Sequence, residues 1–523
     1  MAVADLSTNP CPGSPPPTPV ERTYGNFRAP RSAGILGLGT LGTAILLGGM
    51  VAVIVTTMFA GLLPAAALAV VVVLFLLTLL VRDRHGRSGL ARAVARAGWA
   101  ATRAQRAHLY RSGPLSHLPW GTHQLPGLLA ASRLSEHTDS YGRRFALLAV
   151  PATGDYTVVL AAEPDGASLV DGEQIDSWVA HWGAWLAALG NEPGLHAAAV
   201  TVEAAPDSGV RLRREVQANL DPDAPELARA MLAEVMATYP AGSATVRAWV
   251  SLTFSAASRP GGPRRSAEQV GRDIAARLPG LTAGLHATGA GAARPVASAE
   301  LCEVVRTAYD PHAARLLEQA RSEGDRTDDG TGLRWSDVGP TAAQAGYDHY
   351  RHDGALSTTW SMTSPPRGEV FATVLAQLLA PHHDVDRKRV TLLFRPLDAA
   401  RAARIVEADK RAADFRVSAA SRPSARAQAD QRAAQQAARE EARGAGLVNF
   451  ALLVTATVLD DAAGPASARL PQARAAVDTL SATARVALRP VYGSQDTAFA
   501  AALPVGLVLP RHLRVPTEIR ESL

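Results

Sequence analysis

Residues 33–81 read AGILGLGTLGTAILLGGMVAVIVTTMFAGLLPAAALAVVVVLFLLTLLV, almost fifty residues without one charged side chain. A helix rises about 1.5 Å per residue and a bilayer's hydrocarbon is roughly 30 Å thick, so about twenty apolar residues make one span. This run has room for two. The natural break is Phe59-Ala60-Gly61-Leu62-Leu63-Pro64, because glycine frees the backbone and proline suits only the first turn of a following helix. Helices are expected near 34–58 and 63–81, joined by a tight turn.

The flanks set the orientation, since Arg and Lys close to a span stay cytoplasmic. Arg22, Arg28 and Arg31 precede the run; Arg82, Arg84, Arg87, Arg92 and Arg96 follow it. A two-pass protein of the cell membrane with both termini cytoplasmic is expected. A secretory signal has a much shorter apolar core and begins nearer the N-terminus.

The remaining chain of this 523-residue protein holds enough residues for two or three domains. Hydrophobic residues make up 47% and aromatics 5%, so the core is built of Ala, Val and Leu. The formal net charge of +5 is carried almost wholly by Arg, Lys occurring only at 388 and 410. The basic cluster 82–111 lies beside the membrane, where anionic lipid accounts for it at about 1 kcal/mol per residue. Cys11 and Cys302 form no disulfide framework and no metal-binding pair; Cys302 reads as a small core residue.

Outward from the hairpin the chain divides into five parts. Residues 1–32 are a Pro-rich disordered tail and juxtamembrane segment; 33–81 are the transmembrane hairpin; 82–128 are a basic juxtamembrane helix and an extended linker. Residues 129–280 form a first cytoplasmic α+β domain and 281–523 a second, with an Ala/Arg-rich helical arm at 399–445, broken near Ser421-Arg422-Pro423-Ser424. In the first domain, strands flank the turn Pro151–Asp155. A helix follows with Ile175, Trp178, Val179, Trp182, Trp185, Leu186 and Leu189 on one stripe, the spacing of a face packed on a sheet. Helices are expected over 222–240, 266–278 and 369–381. The second domain repeats this grammar without sequence identity between the halves, which predicts two β-α-β-type units sharing or stacking their sheets.

Chemistry is sparse. A phosphate-binding loop needs GxxxxGK followed by Ser or Thr; Lys388 and Lys410 sit in Asp-Arg-Lys-Arg and Ala-Asp-Lys-Arg, so neither is a Walker lysine. Gly37, Gly39 and Gly42 lie in the first span and read as helix packing. The best metal candidate is His382-His383-Asp384-Val385-Asp386, which reads as an exposed polar loop because adjacent histidines point apart. His181 reads as a buried or half-buried structural histidine, and Asp328-Asp329 as a solvated turn. No catalytic, cofactor-binding or metal-binding residue is assigned, and the chain is expected not to be an enzyme.

Two stretches carry a family resemblance. RTYGNFRAPRSAG (22–34) with the tight hairpin resembles the PrgI-type membrane subunits of Gram-positive conjugation machines. GSQDTAFAAALPVG (493–506) resembles the end of the N-terminal region of type IV secretion transfer ATPases, just before their nucleotide domain. The hairpin followed by TGDYTVVLAAEPDG and EQIDSWVAHWGAWLAALG is similar to EccE of type VII secretion, and the whole arrangement resembles an actinobacterial family of EccE-like membrane proteins. The resemblance implies a non-catalytic subunit of a secretion or conjugal-transfer apparatus, with membrane lipids, a separate ATPase and other membrane subunits as partners, homo-oligomers allowed, and nucleic acid only as cargo. Two other readings stand beside it: a membrane-anchored enzyme using His382, His383 and Asp386, and a nucleic-acid-contacting protein using the arginines of 82–111 and 401–443.

Overall fold

The computed structural model describes residues 22–27 and 39–513, except 82, 84, 115, 119–120, 165, 167–168, 208, 222, 239–243, 258–261, 324–330, 367, 420 and 462–463. The expected tail 1–21, Cys11, Gly37 and the Asp328-Asp329 turn lie outside the described residues. The described residues open with a short strand, β1 (Thr23–Tyr24), and two apolar helices, α1 (Gly39–Ala60) and α2 (Leu62–Leu80). They fold back on each other at Gly61, whose φ of 88° favours a residue without a Cβ. The helices pack closely at Gly49, where an added Cβ would lie 2.7 Å from the Val72 side chain. Among the described residues one helix, Gly42–Ala60, is long and apolar enough to cross a membrane; the apolar stretch of α2, Leu62–Thr78, is shorter.

Beyond α3 (Gly89–Ala104) the chain builds a mixed α/β body on one large antiparallel sheet. In order come β2 (Leu109–Arg111), β3 (Arg133–Thr138), β4 (Arg144–Val150), β5 (Asp155–Glu163), α4 (Gly172–Leu189), β6 (Leu195–Pro206), α5 (Val210–Ala218), α6 (Glu226–Thr238), β7 (Ala244–Ser255), α7 (Ala267–His286), β8 (Ala292–Pro295), α8 (Ser298–Tyr309) and α9 (Ala313–Glu323). There follow β9 (Ala342–Ala345), β10 (Tyr350–His352), β11 (Ala355–Ser364), β12 (Val370–Phe371), α10 (Ala376–Leu379), β13 (Arg387–Pro396), α11 (Ala399–Ser418), α12 (Ala425–Ala442), β14 (Val448–Leu459), α13 (Ala466–Thr483), β15 (Ala487–Pro490) and α14 (Gln495–Ala501). Among the described residues the sheet has 13 strands, in the order β2-β9-β10-β11-β14-β13-β6-β7-β5-β4-β3, with β15 also on β11 and β8 also on β5.

The order contains the same unit twice. β5 and β6 are each antiparallel to β7 between them, hence parallel to each other with α4 as the crossover, and β8 closes the outer side of β5. That is the split β-α-β, or ferredoxin-like, arrangement β5-α4-β6-β7-α7-β8. β11-α10-β13-β14-α13-β15 repeats it strand for strand. The units join edge to edge through β6 and β13, antiparallel, with Thr201 opposite Thr391 near the middle. A short identity marks the repeat: Arg294-Pro295-Val296 in and after β8, and Arg489-Pro490-Val491 in and after β15, with Pro295 opposite Leu160 and Pro490 opposite Trp360.

The two faces of the sheet differ. One carries Leu160, Leu252, Val390, Val454 and their neighbours under α4, α7 and α13, and Trp182 meets Phe394 edge-on at 5.8 Å. The tryptophan stripe of α4 thus packs on a sheet. The other face is rich in Ser and Thr and is covered by α8, α14 and residues 502–508. Its hydroxyls pair across strands, Thr157 with Thr253 (3.1 Å), Thr201 with Thr391 (3.2 Å) and Thr359 with Thr455 (3.0 Å). Thr253 and Thr391 also donate to the carbonyls of Gly506 and Ala502. The paired threonine hydroxyls are therefore satisfied, as burial demands, while the buried Ser251 hydroxyl beside them finds no partner among the described residues.

Several local expectations change. Residues 113–128 are no extended linker. Leu125 and Leu129 are core residues, Tyr110 donates to the Gln124 carbonyl (2.5 Å) and Gly339 N–H to that of His123 (2.7 Å); the second tie comes from over 200 residues downstream, beyond any local signal. The helix expected over 369–381 is reduced to α10, because Val370 and Phe371 pair with β1 instead. The helix expected over 222–240 is present as α6, and α5, which precedes it, is an additional helix. β8 completes the first unit although it lies past residue 280.

Candidate functional site

The body grips the hairpin from both sides. Upstream, β1 pairs with β12. The Thr23 hydroxyl donates to Glu369 (2.5 Å) and Tyr24 OH to Asp176; burial first, and then Asp176, push the Tyr24 phenol up to about 12. Asn26 donates to the Ala433 carbonyl in α12 (3.3 Å), and Phe27 meets Phe450 edge-on at 5.8 Å. Downstream, Ser88 caps α3 by accepting from the Ala91 amide (3.3 Å). Trp99 then packs on Tyr347 (5.4 Å), Tyr347 stacks on Tyr492 (5.2 Å), and the Arg489 guanidinium covers Tyr492 at 5.0 Å. Arg489 also faces Asp83 at 3.9 Å. Burial alone would raise the Asp83 carboxyl, but the Arg87 and His85 amides and Arg489 hold it below its ordinary value. Gly493 makes the contact possible: its φ is 79°, and a Cβ there would sit 3.1 Å from the Ala95 carbonyl. An apolar pocket of about 500 Å³, lined by Leu74, Leu77, Val81 and Leu90 among others, fills the corner between α2 and α3.

The upstream contacts lie at one end of the sheet. Because β6 and β13 run antiparallel, the insertion after β13 (α11 and α12) emerges at the end where Phe450 lies, and the insertion after β6 (α5 and α6) at the opposite end. Arg489, by contrast, sits mid-strand, opposite Ser361 of β11.

The seam between the units holds a buried ion triad. Glu203 in β6, opposite Arg389 in β13, meets Arg387 at 2.5 Å through one carboxylate oxygen and Arg389 through the other. All three are largely buried, and the Arg389 guanidinium lies 5.6 Å from the Phe499 ring centroid. Burial would raise the Glu203 carboxyl, yet the two guanidiniums bring it down to about 2. Strand alternation sends Lys388 to the other face, where it is 1% exposed, donates to the Ala380 carbonyl and is lowered by burial to about 8. In the sequence Lys388 served only to exclude a Walker motif; the Arg-Lys-Arg alternation inside an apolar strand was the available signal.

The polar loop at 382–386 divides. His382, His383 and Asp384 bring donor atoms within 4.8 Å of one another. The His rings stack at 4.5 Å, and Asp384 lies 3.2 Å from His383 and 3.8 Å from His382. These three are the residues that could hold a cation. However, His382 Nδ1 already accepts from the Asp384 amide (3.3 Å) and His383 is 84% exposed, which is the geometry of a surface turn. Asp386 points elsewhere: it binds Arg469 (2.7 Å) and accepts from the Leu459 amide (2.8 Å). The trio His382, His383 and Asp386 is therefore not brought together. His181, expected to be at least half-buried, is exposed and engages its own helix through the Ser177 carbonyl (2.8 Å), since it lies off the tryptophan stripe. Cys302 is 2% exposed, and burial, with Asp337 behind it, pushes its thiol up to about 12.

One constellation gives no sign in the sequence. His352 Nδ1 donates to the Tyr309 carbonyl (2.6 Å), leaving Nε2 to accept from Ser357 (2.8 Å), which contacts Thr457 (2.7 Å). The order imitates a nucleophile, base and orienter. Yet His352 and Ser357 are both 0% exposed, walled by Tyr350 and Phe499, and burial takes His352 down to about 4. A substrate has no approach, so the network serves the core.

A family model described as a domain of unknown function (DUF8461) matches residues 31–91, the segment that contains α1, α2 and the start of α3. No curated protein matches the chain. The likeness is thus to the hairpin and the turn that leaves it.

Proposed function

We propose that the chain is a non-catalytic integral membrane subunit of a bacterial secretion or conjugal DNA-transfer apparatus, passing the membrane twice and holding its α/β body on the cytoplasmic face as a scaffold for a separate ATPase. The observation that carries this reading is the double grip. Residues 22–27 and α3 both pack on the same body, so a chain that crosses at α1 must return at α2. The short α2 reaches across with Val81 and by the local thinning a short span induces. The arginines on both flanks give the cytoplasmic side. The resemblance of 493–506 to the segment preceding a transfer ATPase's nucleotide domain supports the scaffold role, because α14 and residues 502–508 are seated across the junction of the two units.

Two measurements test it. A cysteine at the exposed Leu62 turn, labelled in intact cells by a membrane-impermeant maleimide while one at Leu109 is not, is the expected topology; the reverse pattern or no labelling at either site refutes it. Extraction of the tagged full chain in mild detergent is expected to recover a secretion or transfer ATPase with polytopic subunits, whereas a lone small oligomer refutes the scaffold.

A further inference from the structure

We infer that α11 is a second membrane contact, an interfacial helix that lies on anionic lipid beside the hairpin. This rests on the membrane-anchored reading above and goes beyond it, since nothing in the hairpin requires the body to touch the bilayer. The first observation is the composition of the helix's open face. At about 100° per residue, Arg401, Arg404, Arg411 and Arg416 fall with Ile405 and Phe415 in one sector of about 140° that contains no acidic side chain. Phe415 is 70% exposed. The buried residues Ala402, Val406 and Ala413 lie on the far side, against the rest of the fold, and Glu407, Asp409 and Asp414 fall outside the basic sector. Arginines around exposed apolar side chains, with alanine between them, are the pattern of a helix lying in the plane of a bilayer surface.

The second observation is position. The arm leaves the end of the sheet that also holds Phe27 on Phe450, the upstream point at which the body meets the hairpin. Asn26 touches Ala433 of α12 directly, and the start of α1 follows Phe27 by twelve residues, at most about 40 Å of chain. The equivalent insertion of the first unit, α5 and α6, leaves the opposite end. The partner that fits α11 is therefore an anionic phospholipid surface, recognised by guanidinium contact with headgroup phosphates and shallow insertion of Phe415 and Ile405.

The test uses the full chain in nanodiscs, with Cys11 replaced by Ser and a bimane probe at Ala412→Cys on the basic face or at Ala403→Cys on the exposed flank. Lipids bear a shallow spin-label quencher. In discs with about one-third phosphatidylglycerol, quenching at 412 is expected to exceed that at 403 at least ~2-fold, and to fall to the 403 level in pure phosphatidylcholine discs. Reversing Arg401, Arg404 and Arg411 to Glu should abolish the difference while alkaline carbonate still fails to extract the protein. Equal quenching at both sites in anionic discs, or quenching at 412 indifferent to lipid charge, overturns the proposal. So does protection of residue 412 by single-stranded DNA but not by anionic lipid. A protein that carbonate extracts refutes the anchored reading instead, so the two failures are distinguishable.

Discussion

Replacing Glu203 by Gln tests the seam that makes two units one body. The folded carboxyl lies at about 2 against an ordinary value near 4.3, and each tenfold change in proton affinity corresponds to about 1.4 kcal/mol. Ionised Glu203 therefore stabilises the fold by about 3 kcal/mol at neutral pH relative to the protonated carboxyl, in line with the roughly 3–5 kcal/mol lost when one partner of a buried ion pair is removed. Gln keeps the shape and one acceptor oxygen but leaves Arg387 and Arg389 without a counter-charge. Because the folded value is depressed, the stabilisation is complete above about pH 4.5 and is lost as pH falls toward 2. Chemical denaturation of the detergent-solubilised chain should show Glu203→Gln destabilised by about 3 kcal/mol at pH 7, with the gap narrowing steadily below pH 4.5. Amide exchange should accelerate first in β6 and β13. A loss under about 1 kcal/mol at pH 7, or a gap unchanged between pH 7 and pH 3, refutes the reasoning.

Lys388 responds in the same direction but in an alkaline window. Its folded value of about 8 lies below the ordinary 10.4, so stability should rise between about pH 8 and 10.5 by roughly 3 kcal/mol, a rise absent from Lys388→Met in parallel denaturation curves. Cys302, buried and with its thiol near 12, should resist iodoacetamide under native conditions and react fully in denaturant; native reaction at the free-thiol rate contradicts the packing of α8. Gly493→Ala should cost about 1–3 kcal/mol through its positive φ and the Ala95 carbonyl, and should raise proteolysis within α3 before any loss in the sheet.

What was legible in the sequence was local. The hairpin announced itself by the absence of charge, the α4 stripe by its 3.6-residue period, and β4 and β5 by apolar runs around a Gly-Asp turn. The arm break at 421–424 was readable too: α11 ends at Ser418 and α12 is capped by Ser424. The joining of the halves was not legible, because Glu203 meets partners 184 and 186 residues away and no local pattern reports an edge-to-edge strand pair. Arg-Pro-Val, three residues in 523, was too short to reveal the repeat until β8 and β15 lay in equivalent places. Gly and Pro in 113–128 suggested a free linker, but there they serve tight turns that deliver Leu125 and Leu129 to the core. The candidate site was legible in its basic flanks and illegible in its grip, which depends on Tyr347, Phe450 and Tyr492 meeting residues far away in the chain.

The antiparallel seam gives the protein a direction. Two copies of one unit, placed head to tail along a shared sheet, must extend their insertions to opposite poles, so a body with internal symmetry acquires two inequivalent ends as soon as one is tethered. One pole then keeps α11 and α12 beside the anchor, while the other carries α6 with Leu227 and Met231 largely open to solvent, some sheet-length away. Change in one insertion need not disturb the other, because the strands between them are held by pairs such as Thr201 with Thr391 that neither insertion supplies. On the anchored reading proposed above, repetition within the chain separates the pole that faces the bilayer from the pole that faces the cell interior.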